Sequence, residues 1–195
     1  MLDHLVHEPP DVPGYRLVKQ ERIPIGRASM IGLISAPIWL AGFAALARLL
    51  GGYQHPSVHV TFVGVIIALL ILTLIMPFVH EAIHGLFALI FGARPSFGVG
   101  AGLAYTTFRK PVRPIPYLVI GLAPLVLISV AGVAMLGITS FYPGQTLVFL
   151  VGNGAGAFGD LWVARKVFDL PRRCLITDLA DGFAYYLPEE QGPPA

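Results

Sequence analysis

The chain has 195 residues, of which 55% are hydrophobic and only 12% are charged, and its mean hydropathy is +0.73. These values exclude an ordinary water-soluble protein and predict a single membrane domain. The net charge of +2 is too small to indicate a nucleic-acid partner. Because Cys174 is the only cysteine, an intramolecular disulfide and a thiolate metal cluster are also excluded.

The N-terminal segment, residues 1–27, is polar and rich in proline, which predicts a juxtamembrane arm. Within it we expect a short strand or an interfacial segment over residues 15–25. The first apolar stretch follows at about residues 28–50. At 1.5 Å per helical residue, this stretch is long enough to cross a hydrocarbon core of about 30 Å.

A polar link over residues 51–57 leads to the second apolar stretch, at about residues 58–91. This stretch is longer than a bilayer requires, and Pro77 interrupts it. Proline lacks the backbone N–H that would bond to the carbonyl of Thr73, so we expect a kinked helix here.

The longest link, residues 92–114, has the pattern of a β-hairpin. Phe97 and Val99 alternate with small residues, a glycine-rich turn follows, and residues 103–108 are rich in strand formers. Two roles stay open for this hairpin. Its edge pairs with an extended peptide substrate by β-augmentation, or it is an interfacial loop without a substrate role.

The third and fourth apolar stretches run from about residue 115 to 138 and from about 146 to 164. A turn at Pro143 and Gly144 separates them. The fourth stretch contains two pairs of small residues spaced four apart, Gly152 with Gly156 and Ala155 with Gly159. This spacing predicts close approach of a neighbouring helix in lipid.

The tail reads as two strands around a turn at Asp181 and Gly182. The predicted fold is therefore an all-α transmembrane four-helix bundle, with a short β-hairpin between spans two and three and a small β-hairpin tail. We divide the chain into a cytoplasmic arm (1–27), a four-span membrane domain (28–164) and a cytoplasmic tail (165–195).

Basic residues predict the orientation in the membrane. They precede span one, separate spans two and three, and follow span four; only Arg48 falls at the opposite ends of the spans. The positive-inside rule then places both termini in the cytoplasm. The expected location is a multi-pass position in a cell membrane, with the bilayer lipids as surroundings.

The chemistry-bearing motif is H-E-x-x-H at residues 80–84, in the most apolar part of the chain. On a helix, His80 and His84 lie on one face and can bind one metal ion, while Glu81 lies beside them. Zinc sites of hydrolases use this spacing because the carboxylate accepts a proton from the metal-bound water. The alternative is three helix residues satisfied by polar neighbours. However, residues 60–91 contain no Asp, Lys or Arg and no glutamate other than Glu81, and a carboxylate at membrane depth usually marks function.

A third protein ligand is expected besides the two histidines. Of eleven acidic residues, only Glu81 and Asp160 lie inside apolar spans, where a carboxylate without a basic partner requires a cation. Asp160 is therefore the predicted third ligand, with Asp181 in the tail as its rival. Asn153, two turns before Asp160, either hydrogen-bonds a substrate backbone or joins two helices.

The His80-to-His84 motif on a membrane helix, the hairpin-like link and Asp160 on a glycine-rich helix resemble the core of site-2 protease-type intramembrane metalloproteases. The small size and the tail around Asp178 to Tyr186 are similar to the family of putative zincin peptidases, small bacterial membrane proteins. The resemblance implies zinc held by His80, His84 and Asp160, with Glu81 as the catalytic residue.

The function that the motif and the resemblance imply is zinc-dependent hydrolysis of peptide bonds near the cytoplasmic side of a bacterial cell membrane. The implied substrate is a peptide or a single-span membrane protein. The alternative, from another functional class, is a metal-binding membrane protein that acts as a scaffold or regulator without turnover.

Overall fold

The computed structural model describes residues 8–49, 62–100, 103–138 and 143–189. The predicted link at 51–57 and the start of the second apolar stretch lie outside the described residues. The helices are α1 (Ile25–Leu49), α2 (Phe62–Leu74), α3 (Met76–Ile90), α4 (Pro114–Ile138), α5 (Pro143–Gly156) and α6 (Phe158–Phe168). The strands are β1 (Tyr15–Arg22), β2 (Pro95–Gly100), β3 (Leu103–Phe108), β4 (Leu175–Leu179) and β5 (Gly182–Pro188).

Two helices, at Ile25–Leu49 and Pro114–Leu136, are each long and apolar enough to cross a membrane. Two further helix pairs pass the same test together, α2 with α3 and α5 with α6, and they bend by 41° and 43° at their breaks. By length and composition, the described chain therefore has two helices that could span a membrane, or up to four spans if each bent pair is one span. This agrees with the membrane protein that the composition predicts.

The break between α2 and α3 lies beside Pro77, so the predicted kink is present. The carbonyl of Ile75 accepts hydrogen bonds from the N–H groups of Phe78 and Val79, at 3.1 and 3.2 Å, and begins the new helix. Pro77 lies in the first turn of α3, where a backbone N–H has no partner within the helix in any case.

The fourth predicted span is also broken, which the sequence analysis did not anticipate. The run Gly152–Gly156 ends α5, and α6 begins at Phe158. Three of these five residues are glycines, each costing up to about 1 kcal/mol in a helix relative to alanine, and helices commonly kink where such residues cluster. The break places Asp160 in the first turn of a new helix.

The chain forms two compact units. The first contains residues 1–24, 81–122 and 160–195, and the second contains residues 25–80 and 123–159. The first unit holds all five strands, and the second holds α1, α2 and α5.

The first unit contains the predicted tail hairpin, β4 and β5, extended by β1 into an antiparallel sheet of order β1-β5-β4. The sequence analysis expected a strand near residues 15–25 but did not join it to the tail. Gly182 permits this pairing, because a Cβ there would lie 2.0 Å from the carbonyl oxygen of Glu21 in β1. Inward residues of the sheet, such as Ile176 and Phe183, are buried with Val167 of α6.

The hairpin predicted in the longest link is present as β2 and β3, paired antiparallel from Pro95 opposite Phe108 to Gly100 opposite Leu103. Its β3 strand contributes Phe108 to the buried core of the first unit.

In the second unit, small residues bring α5 close to its neighbours, as the sequence predicts. A Cβ on Gly152 would lie 2.5 Å from the side chain of Leu72 in α2, and one on Gly154 would lie 2.4 Å from Trp39 in α1. The predicted role of Gly156 and Gly159 is wrong, since no described atom lies within 4 Å of a Cβ at either position. The close contacts form one turn earlier, before α5 ends.

The closest backbone approach in the second unit predicts the effect of a single methyl group. A Cβ on Gly32 of α1 would lie 2.2 Å from the carbonyl oxygen of Ala155. Gly32→Ala should therefore lower the free energy of unfolding by about 1–3 kcal/mol, the usual cost of overpacking. Thermal unfolding in detergent, followed by circular dichroism, measures this.

Gly42→Ala is the matched control on the same helix, because a Cβ there meets no described atom within 4 Å. It should be neutral or stabilising by up to about 1 kcal/mol. Equal melting temperatures for the two variants would contradict the close contact.

The burial of Cys174 predicts an unreactive thiol. Its residue is fully buried in the core of the first unit, and burial raises the pKa of the thiol to about 11. The thiolate is the reactive form, so native protein should react slowly with iodoacetamide at pH 8, whereas protein unfolded in dodecyl sulfate should react fully. Mass spectrometry counts the label, and rapid labelling of native protein would contradict the burial.

Candidate metal centre

Three residues of the H-E-x-x-H motif lie together on α3, as helical geometry requires. One possible ligand atom from each of His80, Glu81 and His84 lies within 4.8 Å of the others, and all three residues are partly buried. Two imidazole nitrogens and a carboxylate are donors that zinc accepts. The group is therefore a candidate metal site.

The orientation of His84 is set by a backbone carbonyl. Its Nδ1 lies 2.9 Å from the carbonyl oxygen of Ile120 in α4. A carbonyl only accepts hydrogen bonds, so Nδ1 carries the proton and a neutral ring keeps its lone pair on Nε2. Ligating histidines in metal sites are commonly held in this way, with the second nitrogen bonded to a carbonyl or carboxylate.

Asp160 lies beside the second ring nitrogen of His84, Nε2. The distance from Asp160 Oδ1 to His84 Nε2 is 3.6 Å, and the side chains are 23% and 12% exposed. Two ligands that each bind zinc at about 2.0–2.2 Å are separated by about 3–4 Å. The observed separation fits a shared ion. A carboxylate in the first turn of α6 also interacts favourably with the positive end of the helix dipole.

The first unit encloses a cavity of about 140 Å³ around these residues. Its titratable lining includes Glu81, His84, Tyr117, Asp160 and Asp178, and apolar residues of α4, α6 and the two sheets complete it. The volume is enough for several water molecules. The cavity therefore has room for water beside Glu81, His84 and Asp160.

The β2–β3 hairpin holds the motif helix from the side. Thr106 of β3 donates a hydrogen bond of 2.8 Å from its Oγ1 to the backbone carbonyl of Glu81. The ring of Phe97 in β2 lies against Gly85, where a Cβ would be 2.3 Å from the ring. The hairpin thus fixes the backbone at Glu81 and the next turn of α3.

Three predicted site residues, Glu81, His84 and Asp160, line the cavity, whereas His80, Asp181 and Asn153 do not, although the chain neighbours of Asp181, Ala180 and Gly182, are in the lining. Asp181 forms an ion pair with Arg22, whose Nε lies 3.4 Å from Asp181 Oδ2. Asn153 lies buried in the second unit and donates from Nδ2 to the carbonyl of Leu125 at 3.3 Å and to Ser129 Oγ at 3.2 Å. These contacts join α5 to α4, and a contact of Asn153 with substrate stays a prediction.

Sequence reasoning missed the pairing of Tyr117 and Asp178. Tyr117 in α4 donates a hydrogen bond of 2.5 Å from its hydroxyl to Asp178 Oδ1 in β4, and both residues line the cavity. Burial raises the pKa of Asp178 to about 8, although the hydrogen bond from Tyr117 opposes this shift. The available signal was weak, because a carboxylate in a polar tail ordinarily faces solvent.

Removal of single carboxylates tests the ligand set. Asp160→Ala should reduce bound zinc sharply, by at least the factor of about 10–100 that is typical for loss of an outer partner of a ligand. Asp181→Ala should leave zinc nearly unchanged, because Asp181 pairs with Arg22. Metal analysis of purified protein measures both, and full zinc content in Asp160→Ala would contradict the assignment.

Comparison with known proteins gives one family. Residues 73–175, just over half of the chain, match the family model described as putative zincin peptidase. No curated protein and no solved structure matches the chain. The matched range contains the H-E-x-x-H motif, the β2–β3 hairpin and Asp160. The chain therefore belongs to the putative zincin peptidase family.

Proposed function

We propose that the protein is an intramembrane zinc metalloprotease that cleaves peptide bonds near the cytoplasmic side of the bilayer. The observation that carries this proposal is the arrangement at His84. Its Nδ1 donates to Ile120, and its Nε2 faces Asp160 at 3.6 Å, with Glu81 on the same helix. A neutral imidazole, a carboxylate and a nearby general base are the groups that zinc hydrolases require.

The membrane part of the proposal is a four-span bundle with both termini in the cytoplasm. It is supported by the two long apolar helices and by treating each of the two bent pairs as one span. Basic residues near the ends of the predicted spans support the orientation, since cytoplasmic segments carry an excess of Lys and Arg. The resemblance to small bacterial membrane proteins supports a bacterial cell membrane as the location.

His80, His84 and Asp160 would hold the zinc ion, which when bound lowers the pKa of water and polarises a peptide carbonyl. Glu81 accepts the proton from the attacking water and later donates it to the leaving amine. Thr106 holds the backbone of Glu81 in place during these transfers. The Ile120 carbonyl keeps the His84 ring in one orientation by accepting a hydrogen bond from Nδ1.

The proposed substrate is a peptide or a single-span membrane protein in extended form. The β3 strand supports this proposal, because Tyr105 and Thr106 line the cavity. The hairpin pairs with no further strand among the described residues, so β-augmentation would present an extended segment beside Glu81.

Substitution of the general base tests turnover separately from metal binding. Glu81→Gln should keep zinc but lower cleavage by about 10²–10⁴-fold, the usual contribution of a positioned acid–base group. The assay uses purified full-length protein in liposomes with fluorescently labelled single-span peptides. Glu189→Gln is the control, because this carboxylate is exposed in the tail.

Unchanged cleavage by Glu81→Gln would overturn the proposed role of Glu81. If the wild-type protein binds zinc but cleaves none of the peptides offered, the result would instead favour a scaffold or regulator that keeps the metal site.

A further inference from the structure

The contact that orients His84 is made by a backbone atom, the carbonyl oxygen of Ile120. Because this acceptor is a backbone atom, its position depends on where the first turns of α4 lie, and no side-chain substitution at Ile120 removes it. A side chain that holds α4 in place would therefore also hold the imidazole. Tyr117, one turn before Ile120, is such a side chain.

Three strands hold Tyr117. Its ring centroid lies 5.7 Å from that of Phe108 in β3 and 6.0 Å from that of Phe183 in β5, both in tilted geometry. Its hydroxyl donates to Asp178 in β4 at 2.5 Å. The residue is only 4% exposed. The ring contacts allow the Tyr117 side chain to slide against its neighbours, whereas the short hydrogen bond to a carboxyl group fixes the direction in which the hydroxyl points.

Strand β4 provides a firm base for this hydrogen bond. Asp178 pairs with Phe183 in the register of β4 and β5. Two backbone hydrogen bonds of 2.9 and 2.8 Å join Val112, just before α4, to Ile176 of β4. The start of α4 is thus bonded to β4 at Val112 and again at Tyr117, five residues later.

We propose that Tyr117 and Asp178 are positioning residues for the metal centre. Asp178 fixes the hydroxyl of Tyr117, Tyr117 fixes the first turns of α4, and the Ile120 carbonyl then directs Nε2 of His84 toward Asp160. This inference rests on the proposed role of His84 as a zinc ligand. Neither residue needs to contact the metal ion or the substrate.

The test measures zinc affinity of full-length protein in detergent by competition with a chelator. Tyr117→Phe keeps the ring contacts and removes only the hydroxyl, and we expect zinc affinity to fall about tenfold, the lower end of the range for outer partners of ligands. Asp178→Ala should give a similar loss. The double variant should lose little more than either single variant, because both act through one hydrogen bond.

Two variants serve as matched controls. Tyr186→Phe removes another buried tyrosine hydroxyl of the first unit, which donates to the carbonyl of Pro10 at 2.8 Å, and zinc affinity should not change. Asp178→Asn keeps an oxygen that accepts from Tyr117, so it should retain most of the affinity lost in Asp178→Ala. Circular dichroism and melting temperature check that each variant is folded.

A visible spectrum of the Co²⁺-loaded protein adds a readout of ligand geometry. It should change in Tyr117→Phe and stay unchanged in Tyr186→Phe. A merely structural role of the hydroxyl would lower the melting temperature and leave the spectrum and the affinity unaltered, which would overturn the proposal.

Three results separate the possible failures. If the wild type binds zinc and both Tyr117→Phe and Asp178→Ala bind it with unchanged affinity, this inference alone would be overturned. Equal losses in Asp178→Asn and Asp178→Ala would show that an oxygen acceptor for the Tyr117 hydroxyl does not preserve zinc affinity, which also overturns the inference. Wild-type protein that binds no zinc would overturn the proposed function, and this inference with it.

Discussion

The hydrogen bond from His84 Nδ1 to the Ile120 carbonyl is the contact on which the candidate site depends. It determines which nitrogen of a neutral ring carries the proton and which carries the lone pair, and thereby what the ring can bind. The other tautomer, with its proton on Nε2, would present an N–H to Asp160 instead of a lone pair. A backbone acceptor suits this purpose because the helix that carries it resists local change.

Around this contact, the first unit combines helical segments with two small antiparallel sheets. Strands β3, β4 and β5 contribute Thr106, Asp178 and Phe183 to the environment of Glu81, His84 and Tyr117. Isolated carboxylates are costly to bury, and three of them line one cavity here. A bound cation would offset that cost, which gives the proposed metal a structural role as well as a chemical one.

The second unit is held together mainly by close packing of its helices. Its helices have few polar side chains, and close packing through Gly32, Gly152 and Gly154 brings backbones and rings together. Such packing is the main source of helix association where lipid is as apolar as the side chains. On another side of α5, Asn153 adds hydrogen bonds to Leu125 and Ser129 of α4.

Local features could be predicted from the sequence because each depends on neighbours along the chain. The apolar stretches, the kink at Pro77, both hairpins and the one-turn spacing of His80 and His84 follow from hydropathy and from helix and strand periodicity. The choice of Asp160 over Asp181 as third ligand stays a prediction; it rests on the cost of a carboxylate inside an apolar stretch.

Only the tertiary structure shows which distant residues meet. The partners His84 and Ile120 are 36 residues apart, and Tyr117 and Asp178 are 61 apart, so no local pattern links them. The pairing of β1 with β5 joins opposite ends of the chain for the same reason. The sequence by itself determined which groups can bind a metal ion, because that depends on residue type and local spacing. Tertiary packing decided how those groups are oriented, because orientation depends on contacts between distant segments.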